Sequence, residues 1–248
     1  MIKTNKKAVT NLGKPNIVLW DLETSNLNAN FGFILCAGYK ILGEKKVCVP
    51  SIADYSLYKK DPTNDRELVK DVGKFLTDAD IWVGHYACYF DIPFLNSRLL
   101  YHGLPPLPKV PLVDTWRIAR NNLKLNSNRL QSITEFLEME DKTAIKGPHW
   151  IKAMAGNKKS LTYVIEHCRQ DVVVLEQVYN KIKVLHSGHP NINILNSKTN
   201  GCPVCGSEKL QKRGWNIAGV SRSQRYQCQS CGAWSRGRPE RIKSLEVR

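Results

Sequence analysis

"LWDLETSNL", residues 19–27, closes an apolar run with two carboxylates one residue apart, Asp21 and Glu23. Read as a β-strand, whose side chains alternate between faces, the stretch points both acids the same way. Two like charges at one spot repel unless water or a shared cation lies between them. This strand end therefore either faces solvent or shares something positive, and the rest of the chain has to decide.

Around it, residues 16–24, 31–42 and 45–50 read as three short strands rich in Val, Ile and Leu, joined by tight turns such as "LGEKK". Residues 65–79 place Leu68, Val72, Phe75 and Leu76 on one helical face, with Asp65 as the expected cap. A strand "IWVGHY" follows, then a helix through "IPFLNSRLLYHG" that stops at Gly103. Beyond the proline-rich "LPPLPKVP", residues 127–139 form an amphipathic helix behind a Ser cap. Residues 160–185 form a long helix, apolar at Val164, Cys168, Val172, Leu175 and Val178. Strands first, then strands mixed with helices, make a layered α/β domain over residues 1–185. Residues 186–200, without helical period and rich in Asn, Gly, Pro and Ser, read as a linker to a small domain at 201–248.

The charge balance separates the same two parts. The chain of 248 residues carries 37 Lys and Arg against 22 Asp and Glu, net +15. Residues 191–248 hold 11 basic and 3 acidic side chains, and the first 190 hold 26 and 19. Positive charge so concentrated in the tail implies a polyanionic partner, nucleic acid first, rather than a merely solvated surface. No apolar run reaches bilayer length, and "MIKTNKKAVTNLGKPN" has no apolar segment behind its lysines to act as a secretory signal. The expected location is the cytoplasm, with no membrane partner. Cys36, Cys48, Cys88 and Cys168 are accordingly expected as free thiols among apolar neighbours.

Two more acids stand in telling places. Asp91 opens the helix after the strand in "GHYACYFDIPFLNSR", and Asp171 interrupts the apolar face of the last long helix, with His167 one turn before it. Taken singly, "DLET" is an ordinary strand end and Asp91 a helix cap. Taken together, Asp21, Glu23, Asp91 and Asp171 would repel one another without a counter-charge. An all-oxygen site of this kind suits two hard cations, Mg²⁺ or Mn²⁺, about 3.5–4 Å apart, which can clamp a phosphodiester between attacking water and leaving oxygen. Asp114, in "LVDTWRIAR", reads as a helix cap, and His85 as a strand-end residue.

"DLET", "GHYACYFDIPFL" and "HCRQDVVVL" resemble, in order and interval, the three motifs of the DEDD (DnaQ-like) 3′→5′ exonuclease superfamily, over about residues 16–185. "HYACYFDIPFLNSRLLYHGLPPLP" with "DTWRIAR" looks closest to its YprB-like ribonuclease H-like group. The resemblance implies a ribonuclease H-like mixed sheet flanked by helices. It makes Asp21, Glu23, Asp91 and Asp171 the catalytic metal ligands, and His167 the residue that orients or deprotonates the water. Two departures stand out: His167 occupies the spacing at which the tyrosine subclass has Tyr, and Tyr86 stands where relatives often carry Asn.

"CPVC" (202–205) and "CQSC" (228–231) are two Cys-x₂-Cys pairs separated by 22 residues. Cys202, Cys205, Cys228 and Cys231 make a closed tetrahedral set, the pattern of one structural Zn²⁺; no βαβ unit surrounds either pair to suggest a redox role. The segment resembles the zinc ribbons of transposases and other nucleic-acid proteins. Between and beyond its knuckles, Arg213, Arg222, Arg225, Arg236 and Arg238 alternate with Trp215, Tyr226 and Trp234. Arginines meet phosphates and aromatic faces stack on bases. Tyr226, beside a knuckle, reads instead as part of the ribbon's small core.

The expected function is a 3′→5′ exonuclease that hydrolyses terminal phosphodiesters of DNA or RNA, with single-stranded 3′ ends as its substrate, and releases 5′-nucleoside monophosphates. Its rivals are a nucleic-acid-binding adaptor that has lost activity and an endonuclease of the same fold.

Overall fold

In chain order, β1 (Ile17–Thr24), β2 (Ile34–Ile41), α1 (Arg66–Thr77), β3 (Ile81–Gly84), α2 (Asp91–Tyr101), β4 (Leu112–Asp114), α3 (Thr115–Asn122), α4 (Leu130–Phe136), α5 (Gly147–Met154) and α6 (Lys158–Ile182) build the first of two units. The structure is a computed structural model describing residues 15–139, 147–195 and 200–241. The first unit is Asn16–Leu185; the described residues from His186 onward, with Pro15, belong to the second.

The first unit is built on one mixed sheet in the order β2-β1-β3-β4. β2 runs antiparallel to β1, with Asp21 opposite Gly38, while β1, β3 and β4 are parallel. The alternation of β1 sets the layers. Val18, Trp20 and Leu22 are buried in one cluster with Leu68, Val72 and Leu76 of α1 and Phe94, Leu95 and Leu99 of α2. By the same period Asp21 and Glu23 face the other side, where Leu35 and Cys36 of β2 pack against Leu161, Val164 and Cys168 of α6. This is a ribonuclease H-like arrangement with helices on both faces.

Several local readings differ from the sequence. The third expected strand, 45–50, gives only one isolated bridge, Tyr39 to Cys48, with a second, Cys36 to Ser51, just past it. β4 and α5 were not expected. α5 opens with Gly-Pro, a proline in the first turn where its missing N–H is harmless. Asp65 does not cap α1 through its side chain. Instead it is fully buried, accepts the Ile34 N–H at 2.9 Å, and pairs with Arg98 at 2.8 Å and His102 at 2.6 Å. Among the described residues no helix is long and apolar enough to cross a membrane.

The second unit holds α7 (Ile192–Leu195), β5 (Leu210–Ala218), β6 (Ser221–Cys228), β7 (Trp234–Arg236) and β8 (Glu240–Arg241), the strands pairing antiparallel around β6. Residues 186–200, expected as a linker, differ from that expectation in their described part. The Ile192 N–H donates to the Pro203 carbonyl at 3.0 Å, and buried Asn193 donates its amide to the Cys202 carbonyl at 3.0 Å. These bonds tie α7 to the first cysteine knuckle, because the Asn side chain satisfies a buried carbonyl that water cannot reach.

Candidate active site and cysteine cluster

Glu23 is the meeting point of the acidic residues. It is 7% exposed and belongs to two groups whose ligand atoms all lie within 4.8 Å, one with Asp21 and Cys168, the other with His167 and Asp171. The strand period places Asp21 beside Glu23, and the helical repeat of α6 brings the other group to them. His167 and Asp171 sit one turn apart, Nε2 to Oδ2 at 3.4 Å. Cys168 lies between, its Sγ 4.0 Å from Asp21 Oδ2. A hydrogen bond with Cys36, then burial, pushes this thiol well above its ordinary value, so it adds no negative charge to the pocket.

The approach of α6 depends on Gly38. A Cβ there would lie 2.8 Å from Val172 Cγ2, 2.9 Å from Cys168 Sγ and 3.1 Å from the Cys168 carbonyl. Only glycine admits the helix backbone this close to β2. A buried Lys40 on β2, ion-paired with Glu176, fastens α6 to the sheet, and a 2.9 Å hydrogen bond from Trp150 Nε1 to the Thr24 carbonyl holds α5 at the end of β1.

Asp91 joins neither of the two groups. It is 4% exposed, and its Oδ1 accepts the Leu22 N–H at 3.1 Å, midway between the two strand acids. Its acid is pushed up to about 7, first by burial; the Leu22 N–H and its own backbone N–H oppose this, and the nearby Asp114 charge adds to it. Asp114 caps α3 as expected, accepting from Trp116 N at 3.0 Å and Arg117 N at 3.3 Å. It also accepts from Tyr86 N at 3.0 Å and Cys88 N at 3.1 Å, a reach across to the β3–α2 loop that its sequence neighbourhood does not reveal. His85 Nδ1 lies 2.9 Å from Thr115 Oγ1, which donates to the Gly84 carbonyl, a packing role at the strand end.

A family model matches residues 18–183, and it is that of the RNase H superfamily. The chain belongs to this superfamily. A curated relative, DNA polymerase III PolC-type from Ureaplasma parvum serovar 3, is 32% identical over an alignment of 147 residues that covers 52% of this chain and 10% of that protein. The family B DNA polymerase from the hyperthermophilic archaeon Pyrobaculum calidifontis superposes with a TM-score of 0.55 at 16% identity, covering 83% of this chain and 31% of that one, and so shares the fold. The chain thus spans only a small part of either polymerase. For this RNase H superfamily chain, the oxygen-rich donor set around Glu23 fits a hard divalent cation, with His167 as the one nitrogen donor at its margin.

In the second unit all four knuckle cysteines come together, with ligand atoms within 4.8 Å of one another. Cys202 and Cys231 lie 3.7 Å apart, and Cys205 and Cys228 lie 3.6 Å apart. At Cys228 burial raises the thiol but backbone N–H groups of Cys231 and Ser230 outweigh it, bringing the group down to about 7. Four sulfurs gathered in this way form a closed set that fits one tetrahedral metal ion.

The seven ribbon residues expected at a nucleic-acid surface do not share one face. Arg225 is opposite Arg236, and Trp234 opposite Gln227, so this trio lies on one side of β6. Trp215 is opposite Gln224, on the other side, with Arg222 stacked 4.4 Å over its ring. Arg225, Trp234 and Arg236 line a cleft of about 470 Å³ with His186 and His189. Arg213 and Arg238 are exposed outside that cleft lining, and Tyr226 is half-buried.

Proposed function

We propose that this chain is a metal-dependent 3′→5′ exonuclease of the DEDD type, closest to the YprB-like group, carrying a structural zinc ribbon that grips nucleic acid. The observation that carries the reading is Glu23 shared between two cation-competent groups on the face that α6 covers. Membership of the RNase H superfamily supports nuclease chemistry on nucleic acid. The order of the three acidic motifs supports attack at a 3′ end.

In this reading Asp21, Glu23, Asp91 and Asp171 hold two Mg²⁺ or Mn²⁺ ions, which supply charge neutralisation and an activated water for in-line attack on the terminal phosphodiester. His167, fixed against Asp171, orients that water or takes its proton, a role an imidazole can fill in neutral solution. Asp91, held by the Leu22 N–H, keeps its carboxylate at the strand end. The P–O3′ bond breaks, the shortened strand leaves with its 3′ oxygen, and a nucleoside 5′-monophosphate departs. Cys202, Cys205, Cys228 and Cys231 hold one Zn²⁺ that shapes the ribbon, and nucleic acid is its expected partner.

The test is a set of 5′-labelled DNA and RNA single strands incubated with Mn²⁺ and the full chain. Stepwise shortening by wild type and none by Asp21→Ala supports the reading. Equal activity in the variant ends it, degradation of circular single strands favours an endonuclease, and gel retardation without cleavage favours an adaptor.

A further inference from the structure

Three aromatic side chains beside the acidic site take no part in the mechanism above. Tyr86, Tyr89 and Trp116 pack around one another, with ring centroids 5.1 Å apart for the two tyrosines, 5.0 Å for Tyr86 and Trp116, and 5.7 Å for Tyr89 and Trp116. A hydrophobic cluster that served only packing would be covered. Here Tyr86 is 42% exposed, Tyr89 57% exposed and Trp116 half-buried.

The place of the cluster is fixed by topology. β1, β3 and β4 run parallel, so the loop after β3, which carries Tyr86 and Tyr89, and the start of α3 after β4 emerge at the same sheet edge as Asp21 and Glu23. Tyr89 stands two residues before Asp91. One buried carboxylate, Asp114, accepts the N–H groups of both Tyr86 and Trp116, locking the two rings to a common post. Tyr86 is held at φ +65°, a left-handed conformation that a bulky side chain adopts only when its surroundings force it. Backbone strain of this kind collects where a side chain has to be presented. Beside the rings, α3 exposes Arg117 and Arg120, cations suited to a phosphate backbone.

We propose that Tyr86, Tyr89 and Trp116 form a stacking subsite for an unpaired nucleobase at the 3′ end of the substrate strand, placing its phosphodiester over the acidic pocket. The inference rests on the nuclease reading for the role of the strand end, while the stacking itself stands on the rings. Base–aromatic stacking tolerates every base, since each has a π-face, so the subsite selects unpaired ends over duplex ends without selecting sequence. Tyr86, Tyr89 and Trp116 are positioning residues in this scheme.

The test uses the full chain with single strands ending in 2-aminopurine, in Ca²⁺ to hold binding apart from hydrolysis. Wild type is expected to quench the terminal fluorophore. Tyr89→Ala and Trp116→Ala are each expected to weaken binding about tenfold, within the range of single stacking contacts. Tyr89→Phe is expected to restore it. Tyr86→Gly, whose backbone accepts φ +65°, is expected to keep its melting temperature and lose the quench. A terminal abasic nucleotide should cost wild type the same factor and the alanine variants nothing more. Equal losses on both ends, or none in any variant, overturn the subsite. Cleavage of the same strands in Mn²⁺ is scored separately. Shortening without ring dependence sinks the subsite and leaves the nuclease; ring-dependent quenching without shortening sinks the nuclease and leaves the subsite; neither binding nor cleavage sinks both.

Discussion

The Oδ1 of Asp91 accepts the backbone N–H of Leu22 at 3.1 Å, so the acid that opens α2 is fastened to β1 between Asp21 and Glu23. β3 pairs with β1 only as far as Leu19 and ends at Gly84. The carboxylate thus occupies the place where a further ladder partner would have stood. One bond does two things: it satisfies a buried strand N–H and aims an acid at the site.

The same burial makes Asp91 pH-sensitive. Its acid lies near 7 in the folded chain against an ordinary 3.8. A raised folded value means the folded state holds its proton longer than the unfolded state, so the ionised group costs stability as pH climbs from about 4 to about 7. Asp91→Asn keeps a neutral acceptor for Leu22. Without metal it should be more stable than wild type at pH 8, by on the order of 4 kcal/mol, and the advantage should shrink towards pH 4. A divalent cation reverses the sign for wild type alone, so the rise in Tm given by Mn²⁺ should grow as pH rises through 7 and be much reduced in Asp91→Asn. Differential scanning fluorimetry across pH 4–8 checks both, and a pH-independent gap between the two proteins would contradict the assignment.

Gly38→Ala tests whether the pocket depends on how closely α6 approaches. A methyl at that position meets Cys168 and Val172 at under 3 Å, and the Cys168 carbonyl is backbone that cannot swing aside. Overpacking of this sort costs about 1–3 kcal/mol. Because His167 and Asp171 ride on the same helix, a displaced α6 also opens the Glu23 group. The variant should lose stability in urea and need at least tenfold more Mn²⁺ for half-maximal protection. Full stability with unchanged Mn²⁺ dependence would show that the close approach is incidental.

The acidic pocket was legible in sequence because each of its parts follows a short period: two for Asp21 and Glu23 on a strand, four for His167 and Asp171 on a helix. Gly38 and Asp114 were not. Gly38 lies opposite Asp21 only because of the β1–β2 register, and Asp114 reaches Tyr86 only because β3 and β4 are neighbours; both are pairings across many residues that local patterns do not encode. The misread strand at 45–50 has the composition of a strand but forms only one isolated bridge, at Cys48. Asp65 has the spacing of a cap, but a buried Arg98 and a strand N–H compete for its oxygens and win, since a charge-assisted pair out of water outweighs a neutral cap. Residues 186–195 carry a loop's composition, and the bond that recruits them, Asn193 to Cys202, requires the knuckle to exist first.

Removing the zinc proposed for the four-cysteine cluster should unfold the ribbon and spare the rest. Among its described residues few apolar side chains are buried, Val204 and Ala233 beside the cysteines among them, too little core to hold β5–β7 on its own. Binding of a structural zinc is worth roughly 10 kcal/mol or more in such modules. Cys205→Ser should reduce bound zinc from one per chain to none by plasma mass spectrometry and abolish near-ultraviolet signals from Trp215 and Trp234. The core of Asn16–Leu185 is self-contained, so Mn²⁺-dependent activity on short strands should fall by less than about threefold. Retained ribbon signals without zinc would refute a structural role for the ion.

The two faces of the ribbon sheet predict an asymmetric response to salt. On one face Arg225 and Arg236 stand opposite each other beside Trp234, in a cleft that also holds His186 and His189. On the other, Arg222 is engaged twice, stacked on Trp215 and 3.4 Å from Glu240. A guanidinium already balanced by a carboxylate releases fewer counterions when it meets a phosphate, so the cleft face should dominate binding. Each phosphate contact to a single strand contributes about 0.7 to the slope of log K against log salt. Arg225→Ala with Arg236→Ala should therefore lower the slope by about 1.4, and Arg222→Ala by well under 0.7, in fluorescence-anisotropy titrations at several salt concentrations. If Arg222→Ala proves the more damaging change, the grip lies on the Trp215 side, and the cleft is a packing feature of the segment that joins it.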